Sequence, residues 1–138
     1  MGKIFMVRHG KAAAGWDGAA DPGLDLTGHA QAEAVAKDLT ARLASPVAVY
    51  TSPLKRCRET AEPLVNMWQT QSIVEPRVAE IPSPIEDLVA RTEWLRRVMA
   101  GSWADLSADP ESGGIDFAGW QADVVTALVS LGKSEDIV

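Results

Sequence analysis

Two short runs rich in β-forming residues, 3–7 (KIFMV) and 47–51 (VAVYT), bracket a segment of helical periodicity. This alternation constrains the fold more than any other feature of the chain. Between the runs, Ala32, Val35, Ala36, Leu39 and Leu43 recur at the spacing of one helix face, with Glu33, Lys37 and Asp38 falling mostly between them. Asp25 or Thr27 is placed to cap that helix. Residues 10–23, rich in Gly, Ala and Asp, read as a loop. After the second run, Ser52-Pro53 predicts an N-cap followed by proline at the first helical position, with a helix through 55–61 and a kink or break at Pro63. A third, short strand is expected at 72–74. Ser83-Pro84 repeats the cap-plus-proline signal before an apolar stripe of Ile85, Leu88, Val89, Leu95, Val98 and Met99, read as a core-facing helix. Residues 101–114 read as a loop, and Phe117, Trp120, Val124, Leu128 and Leu131 as a last helix ended by Gly132. Asp136-Ile137-Val138 reads as a strand just starting. Strands alternating with helices predict a three-layer α/β/α fold with a mostly parallel central sheet.

Composition bounds the possibilities. At 138 residues, 46% of them hydrophobic and 23% charged, the chain is sized for a single domain over 1–138 with a real core. No apolar run approaches the roughly 18 residues of a membrane-spanning helix, and the N-terminus meets Arg8 too soon for a signal peptide. The single Cys57 excludes an intramolecular disulfide and fits a cytoplasmic protein. With one Cys and two His, no metal site is expected. The net charge of −6 argues against nucleic acid as a partner. Yet Lys3, Arg8 and Lys11 precede the first acidic residue, Asp17, and Lys55, Arg56 and Arg58 form a second group. Those six are almost half of the 13 Lys and Arg, so a fold that joins the groups creates a local anion site.

Both groups follow a β-run, and in parallel sheets ligands bind at the carboxyl ends of strands. Val7-Arg8-His9-Gly10 ends the first run, and Thr51-Ser52-Pro53-Leu54-Lys55-Arg56 ends the second. An imidazole supplies a nucleophile, guanidinium groups match phosphoryl oxygens bidentately, and glycine lets a phosphate approach the backbone. The residues therefore describe attack on phosphorus by His9, with Arg8 and Arg56 holding the phosphoryl oxygens.

Four ordered segments resemble the histidine phosphatase superfamily, which includes the phosphoglycerate mutases. They are Val7-Arg8-His9-Gly10; Asp21-Pro22-Gly23-Leu24 with Gly28-His29-Ala30-Gln31-Ala32; Thr51 through Ala61 (TSPLKRCRETA); and Val78-Ala79-Glu80. They cover about the first 80 residues. The resemblance implies a phosphoglycerate mutase-like fold and a phosphatase acting through a phosphohistidine on His9. Arg8 and Arg56 would bind the phosphate, and Glu80 would serve as general acid. It implies no cofactor, and as partner a small phosphorylated substrate or a phosphoprotein.

The sequence departs from the family pattern in three places. Asp25 stands where the family has Ser or Thr, and both residue types cap helices. Lys11-Ala12-Ala13-Ala14 replaces the serine and asparagine of the mutases, which favours a phosphatase over a mutase. The family's second histidine, which follows a later strand, has no counterpart: His29 lies in the helix segment, and the chain ends at Val138. A C-terminally incomplete domain is the expectation, with a non-catalytic phospho-ligand binding module as the alternative. Cys57 does not begin a cysteine-phosphatase motif, because the arginine that C-x5-R requires falls on Pro63. Lys55, Arg58 and His29 are expected at the surface, and Trp94, Trp103 and Trp120 in the core or a lid.

Overall fold

The computed structural model of the chain describes residues 1–13 and 21–138. At its centre, β1 (Tyr50–Thr51) and β2 (Ile73–Val74) pair in parallel, Tyr50 opposite Ile73 and Thr51 opposite Val74. The chain's two ends extend this layer. Ile137 forms parallel bridges to Ile4 on one side and Ala48 on the other. Phe5 N–H donates to Ile137 O at 2.9 Å, and Tyr50 N–H to Val138 O at 2.8 Å. The order across the sheet is therefore N-terminal segment, C-terminal segment, β1, β2. The C-terminal residues form an inner strand, as their apolar Ile137-Val138 requires. Regular pairing is shorter than the expected 3–7 and 47–51. Met6 is 78% exposed.

Helices cover both faces. Helix α1 (Leu26–Arg42) and helix α2 (Lys55–Met67) bury Ala36, Leu39, Leu64 and Val65 against Val49, with Phe5 and Val138 packed on the same cluster. Ile4, next along the pleat from Phe5, points the other way, and its Cδ1 lies against Gly132 at the end of the last helix (Phe117–Leu131). That gives the expected three layers. A second cluster joins Trp94 and Val98 of helix α3 (Leu88–Met99), Leu106 of helix α4 (Trp103–Ala108), and Phe117 of the last helix, α5. Trp94 and Phe117 are 1% exposed, with ring centroids 6.4 Å apart.

Several local expectations are corrected. Of the two caps offered for α1, Asp25 serves: its Oδ1 accepts from Gly28 N–H at 2.7 Å. Ser52 does not cap α2. The helix starts at Lys55, and the Asp21 carboxylate, brought in from the loop, accepts the Lys55 N–H at 3.0 Å. Pro63 does not stop α2, which runs on to Met67; burial of Leu64 and Val65 outweighs the one lost backbone bond. Ser83 closes a turn onto Ile85, and α3 starts later with Asp87 as its cap. The apolar stripe is core only in part: Val98 is buried, while Val89 and Met99 are 71% and 80% exposed. The expected loop at 101–114 contains α4, nucleated by a reciprocal Ser102–Asp105 capping box. The loop read over 10–23 pairs Ala12 with Leu24, and its residues 14–20 lie outside the described residues. The strand at 73–74 and the Gly132 end of α5 stand as read.

Candidate active site

Parallel strands deliver their carboxyl ends to one edge of a sheet, and here that edge carries Arg8-His9-Gly10 and, through Ser52, the start of α2. Gly10 is buried and ties the two together. Its N–H donates to Thr60 Oγ1 at 3.0 Å, and Thr60 Oγ1 in turn donates to Arg56 O at 2.7 Å, one turn earlier on α2. From the other side α1 presses in: a Cβ at Gly10 would lie 2.5 Å from Gly28 O, and one at Gly28 only 2.2 Å from Lys11 O. Only glycine at both positions lets the backbones cross this closely.

That crossing aims His9 at α2. The ring Nδ1 lies 2.7 Å from Gly10 O. A carbonyl can only accept, so Nδ1 carries a proton, and Nε2, which faces the Arg56 donor, presents its lone pair. Arg56 Nε–H points at that lone pair across 3.2 Å. The same guanidinium donates through Nη2 to Glu80 Oε2 at 2.7 Å and lies 3.8 Å from Asp21 Oδ1. Glu80 follows the 3-10 turn Pro76–Val78 after β2, and Arg91 of α3 reaches the same Oε2 at 2.9 Å. His9, Arg56, Glu80 and Arg91 thus form one chain of contacts across four segments. Arg56, whose side chain is only 12% exposed, is its hub.

Two cavities meet at His9. One, of about 350 Å³, is lined by Arg8, His9, Ser52, Arg56, Cys57 and Glu80 among others. The second, of about 370 Å³, is lined by Arg8, His9, Gly10, Gln31 and Thr60 among others. Both are of the size that holds a small ligand. Arg8 is exposed and faces both without joining the Glu80 network. Cys57 is half-buried beside Arg56, and burial pushes its thiol up from the ordinary cysteine value, which keeps it protonated and poorly nucleophilic. No group of three or more His, Cys, Asp or Glu among the described residues is arranged to hold a metal ion.

The structure therefore brings three of the four expected site residues into contact and sets the fourth, Arg8, at the rim. The basic groups converge only in part. Arg56 reaches His9, but Lys11 pairs with Asp25 at 3.2 Å, Lys55 with Glu59 at 3.8 Å, and Arg58 is exposed. His29 is exposed on α1. Four contributors were not assigned a role from the sequence: Thr60, Asp21, Glu59 and Arg91. The first three lie inside the motif segments, where a role was legible in principle. Glu59 Oε2 accepts Leu24 N–H at 2.6 Å, which fastens the Asp21–Leu24 loop to α2. Arg91 had no sequence signal, since its helix read only as an apolar stripe.

The chain is similar to known proteins in both sequence and fold. The sequence family described as the histidine phosphatase superfamily, branch 1, matches residues 4–134. A Photorhabdus laumondii protein described as a probable phosphoglycerate mutase is 32% identical over 111 residues, covering 72% of this chain and 51% of the relative. The chain thus spans about half the length of that curated relative. Among solved structures, phosphoserine phosphatase from Entamoeba histolytica superposes with a TM-score of 0.67 at 21% identity, over 99% of this chain and 73% of that one. A mycobacterial glucosyl-3-phosphoglycerate phosphatase gives a TM-score of 0.60 at 22% identity, over 94% and 69%. At such identities the two structures establish the shared fold.

Proposed function

This chain belongs to the histidine phosphatase superfamily, and from that premise we propose that it hydrolyses a phosphomonoester or phosphoramidate through a phosphohistidine on His9. The observation that carries the reading is the orientation of His9: its unprotonated Nε2 faces a guanidinium at the carboxyl edge of the sheet. A phosphoryl group between them meets a lone pair on one side and a bidentate cation on the other.

The steps follow from the atoms present. The phosphoryl oxygens replace Glu80 on Arg56, with Arg8 closing from the rim, so negative charge is held by fixed cations as it develops. The Nε2 lone pair attacks phosphorus while the bond to the leaving oxygen breaks. That oxygen keeps the bonding pair and takes the proton of Glu80, acting as general acid. Water then attacks the phosphohistidine and gives its proton to the Glu80 carboxylate. The N–P bond breaks, its electron pair returns to Nε2, and phosphate leaves. No step calls on a metal or organic cofactor.

The substrate is a small phosphorylated molecule or a phosphoprotein, since Arg8 and Arg56 suit a single phosphoryl group and the net charge of −6 disfavours nucleic acid. The reading extends to the whole 1–138 domain and to a cytoplasmic setting; no helix of the described residues is long and apolar enough to cross a membrane. The test is release of phosphate from a generic aryl phosphate. Wild type is expected to turn over, His9→Asn to lose all activity, and Glu80→Gln to keep burst-phase phosphorylation on aryl leaving groups. Saturable phosphate binding without turnover would replace this reading with a non-catalytic phospho-ligand module. Phosphoryl exchange between positions of a sugar acid would replace it with a mutase.

A further inference from the structure

Glu80 stands on irregular backbone: it follows the 3-10 turn Pro76–Val78, and residues 79–87 belong to no helix or strand. Its carboxylate meets two arginines, Arg56 at 2.7 Å and Arg91 at 2.9 Å, both at Oε2. In the reaction proposed above, the phosphoryl oxygens take Arg56, so Glu80 loses the shorter of these contacts as the substrate binds. Its main chain is held from another element. Trp120 Nε1–H, on α5, donates to Ala79 O at 3.0 Å, across 41 positions of sequence. That oxygen belongs to the peptide bond joining Ala79 to Glu80, so fixing it fixes the peptide plane and with it the Glu80 Cα. The donor is itself well anchored. One turn earlier on α5, Phe117 is buried against Trp94 in the second core cluster, and α5 packs along the 76–78 turn. The ring of Trp103, on α4, lies 6.2 Å from that of Trp120 at 40° to it.

We propose that Trp120 is a positioning residue: it clamps the Ala79–Glu80 peptide, so that the Glu80 carboxyl stays within reach of the leaving oxygen after the phosphoryl group has taken Arg56. Arg91 acts on the side chain in the same sense, pairing with Oε2 and leaving Oε1 to carry the proton to the leaving oxygen. This role rests on the phosphatase reading, with Glu80 as its acid. Its consequence is selective. A proton is needed most where the leaving oxygen departs poorly as an anion, so loss of the clamp falls on alkyl esters and spares aryl esters. A purely structural role for Trp120 would lower both alike.

The test compares para-nitrobenzyl phosphate with para-nitrophenyl phosphate, which differ by one methylene and present an alkyl and an aryl leaving oxygen. The 138-residue chain is set against Trp120→Phe, which keeps an aromatic ring beside Trp103 and removes the N–H. Turnover of the benzyl ester is expected to fall about tenfold or more, while turnover of the phenyl ester and affinity for inorganic phosphate change by less than about twofold. In a Glu80→Gln background the same substitution is expected to cost nothing further on the benzyl ester, because it acts only through that carboxyl. In the wild type saturated with inorganic phosphate, the Trp120 indole N–H is expected to stay protected from exchange, a measurement that no variant's folding can disturb. The role is overturned if Trp120→Phe impairs both esters equally or neither, if the full loss recurs in the Glu80→Gln background, or if phosphate frees the indole N–H. Any of these with an active wild type strikes the role of Trp120 alone. A wild type inert towards both esters overturns the phosphatase reading and this role with it.

Discussion

Arg56 Nε lies 3.2 Å from His9 Nε2, so the imidazole is oriented at that nitrogen by a cation rather than a carboxylate. The other ring nitrogen is fixed by its own peptide neighbour, Gly10 O. Lysine cannot reproduce this contact, because it lacks both the Nε–H at that position and a second nitrogen for Glu80. Charge-assisted hydrogen bonds of this kind contribute about 1.5–3 kcal/mol each. Arg56→Lys is therefore expected to weaken vanadate or phosphate binding by about 10- to 100-fold, read by calorimetric titration. Unchanged affinity would remove Arg56 from the anion site.

Gly28 sits in the first turn of α1, where alanine ordinarily raises helix stability by about 1 kcal/mol. Here its Cβ would lie 2.2 Å from Lys11 O, a backbone atom that cannot swing aside. Gly28→Ala is expected to destabilise the protein by about 1–3 kcal/mol, as overpacking does. Urea unfolding gives the sign, and a stabilised variant would contradict the close crossing beneath His9.

Glu59 fastens the loop from Asp21 to Leu24 onto α2, by a 2.6 Å bond from Leu24 N–H to Oε2. Its side chain is 17% exposed. Glu59→Ala leaves that donor without its acceptor and is expected to cost about 1–3 kcal/mol. Glu59→Gln keeps a carbonyl oxygen at the same reach and should lose distinctly less. Equal losses would mean that the charge, not the hydrogen bond, holds the loop.

Acid should weaken the fold through a small set of carboxylates. Hydrogen bonds from Arg77, first from its side chain and then from its backbone N–H, lower Glu75 to about 2, against an ordinary 4.5. The Gly28 N–H holds Asp25 below the ordinary aspartate value, and the Ser102 N–H does the same for Asp105. Each folded value lies below the unfolded one, so the stabilisation is present above the unfolded value and is lost as pH falls through the folded one. For Glu75 that window runs from 4.5 down to about 2. Glu75 and Asp25 are partly exposed and Asp105 is exposed, so solvent screening keeps the effect modest. Thermal midpoints of wild type and Arg77→Ala should differ at pH 6 and converge near pH 2. A difference that persists at pH 2 would assign Arg77 another role.

The fold class was legible because it rests on periodicity, which each segment carries by itself. Two β-runs and the spacing of Ala32, Ala36 and Leu39 already specify a strand–helix–strand unit. Helix ends were read less well, because caps are chosen in three dimensions. Asp21 displaced Ser52 at the start of α2 across 34 positions of sequence, a competition no local rule anticipates. Pro63 likewise yielded to the burial of Leu64 and Val65, a tertiary gain. Of the candidate site, His9 and Arg56 were singled out because each follows a β-run, and Glu80 only through the short motif Val78-Ala79-Glu80. Arg91 was missed because the helix that carries it had only an apolar stripe to show. Lys11 is drawn off by Asp25, fourteen positions on, while Lys55 stands at the surface as read, paired one helical turn on with Glu59.

The central claim is that Nε2 of His9 becomes bonded to phosphorus. Its most direct measurement is intact-protein mass spectrometry after a rapid alkaline quench of the chain mixed with a phosphoramidate. The account predicts one added phosphoryl group, on His9, stable in base, lost on brief acid treatment, and absent in His9→Asn. Phosphate release by the wild type with no such adduct, or with full activity retained in His9→Asn, would contradict it.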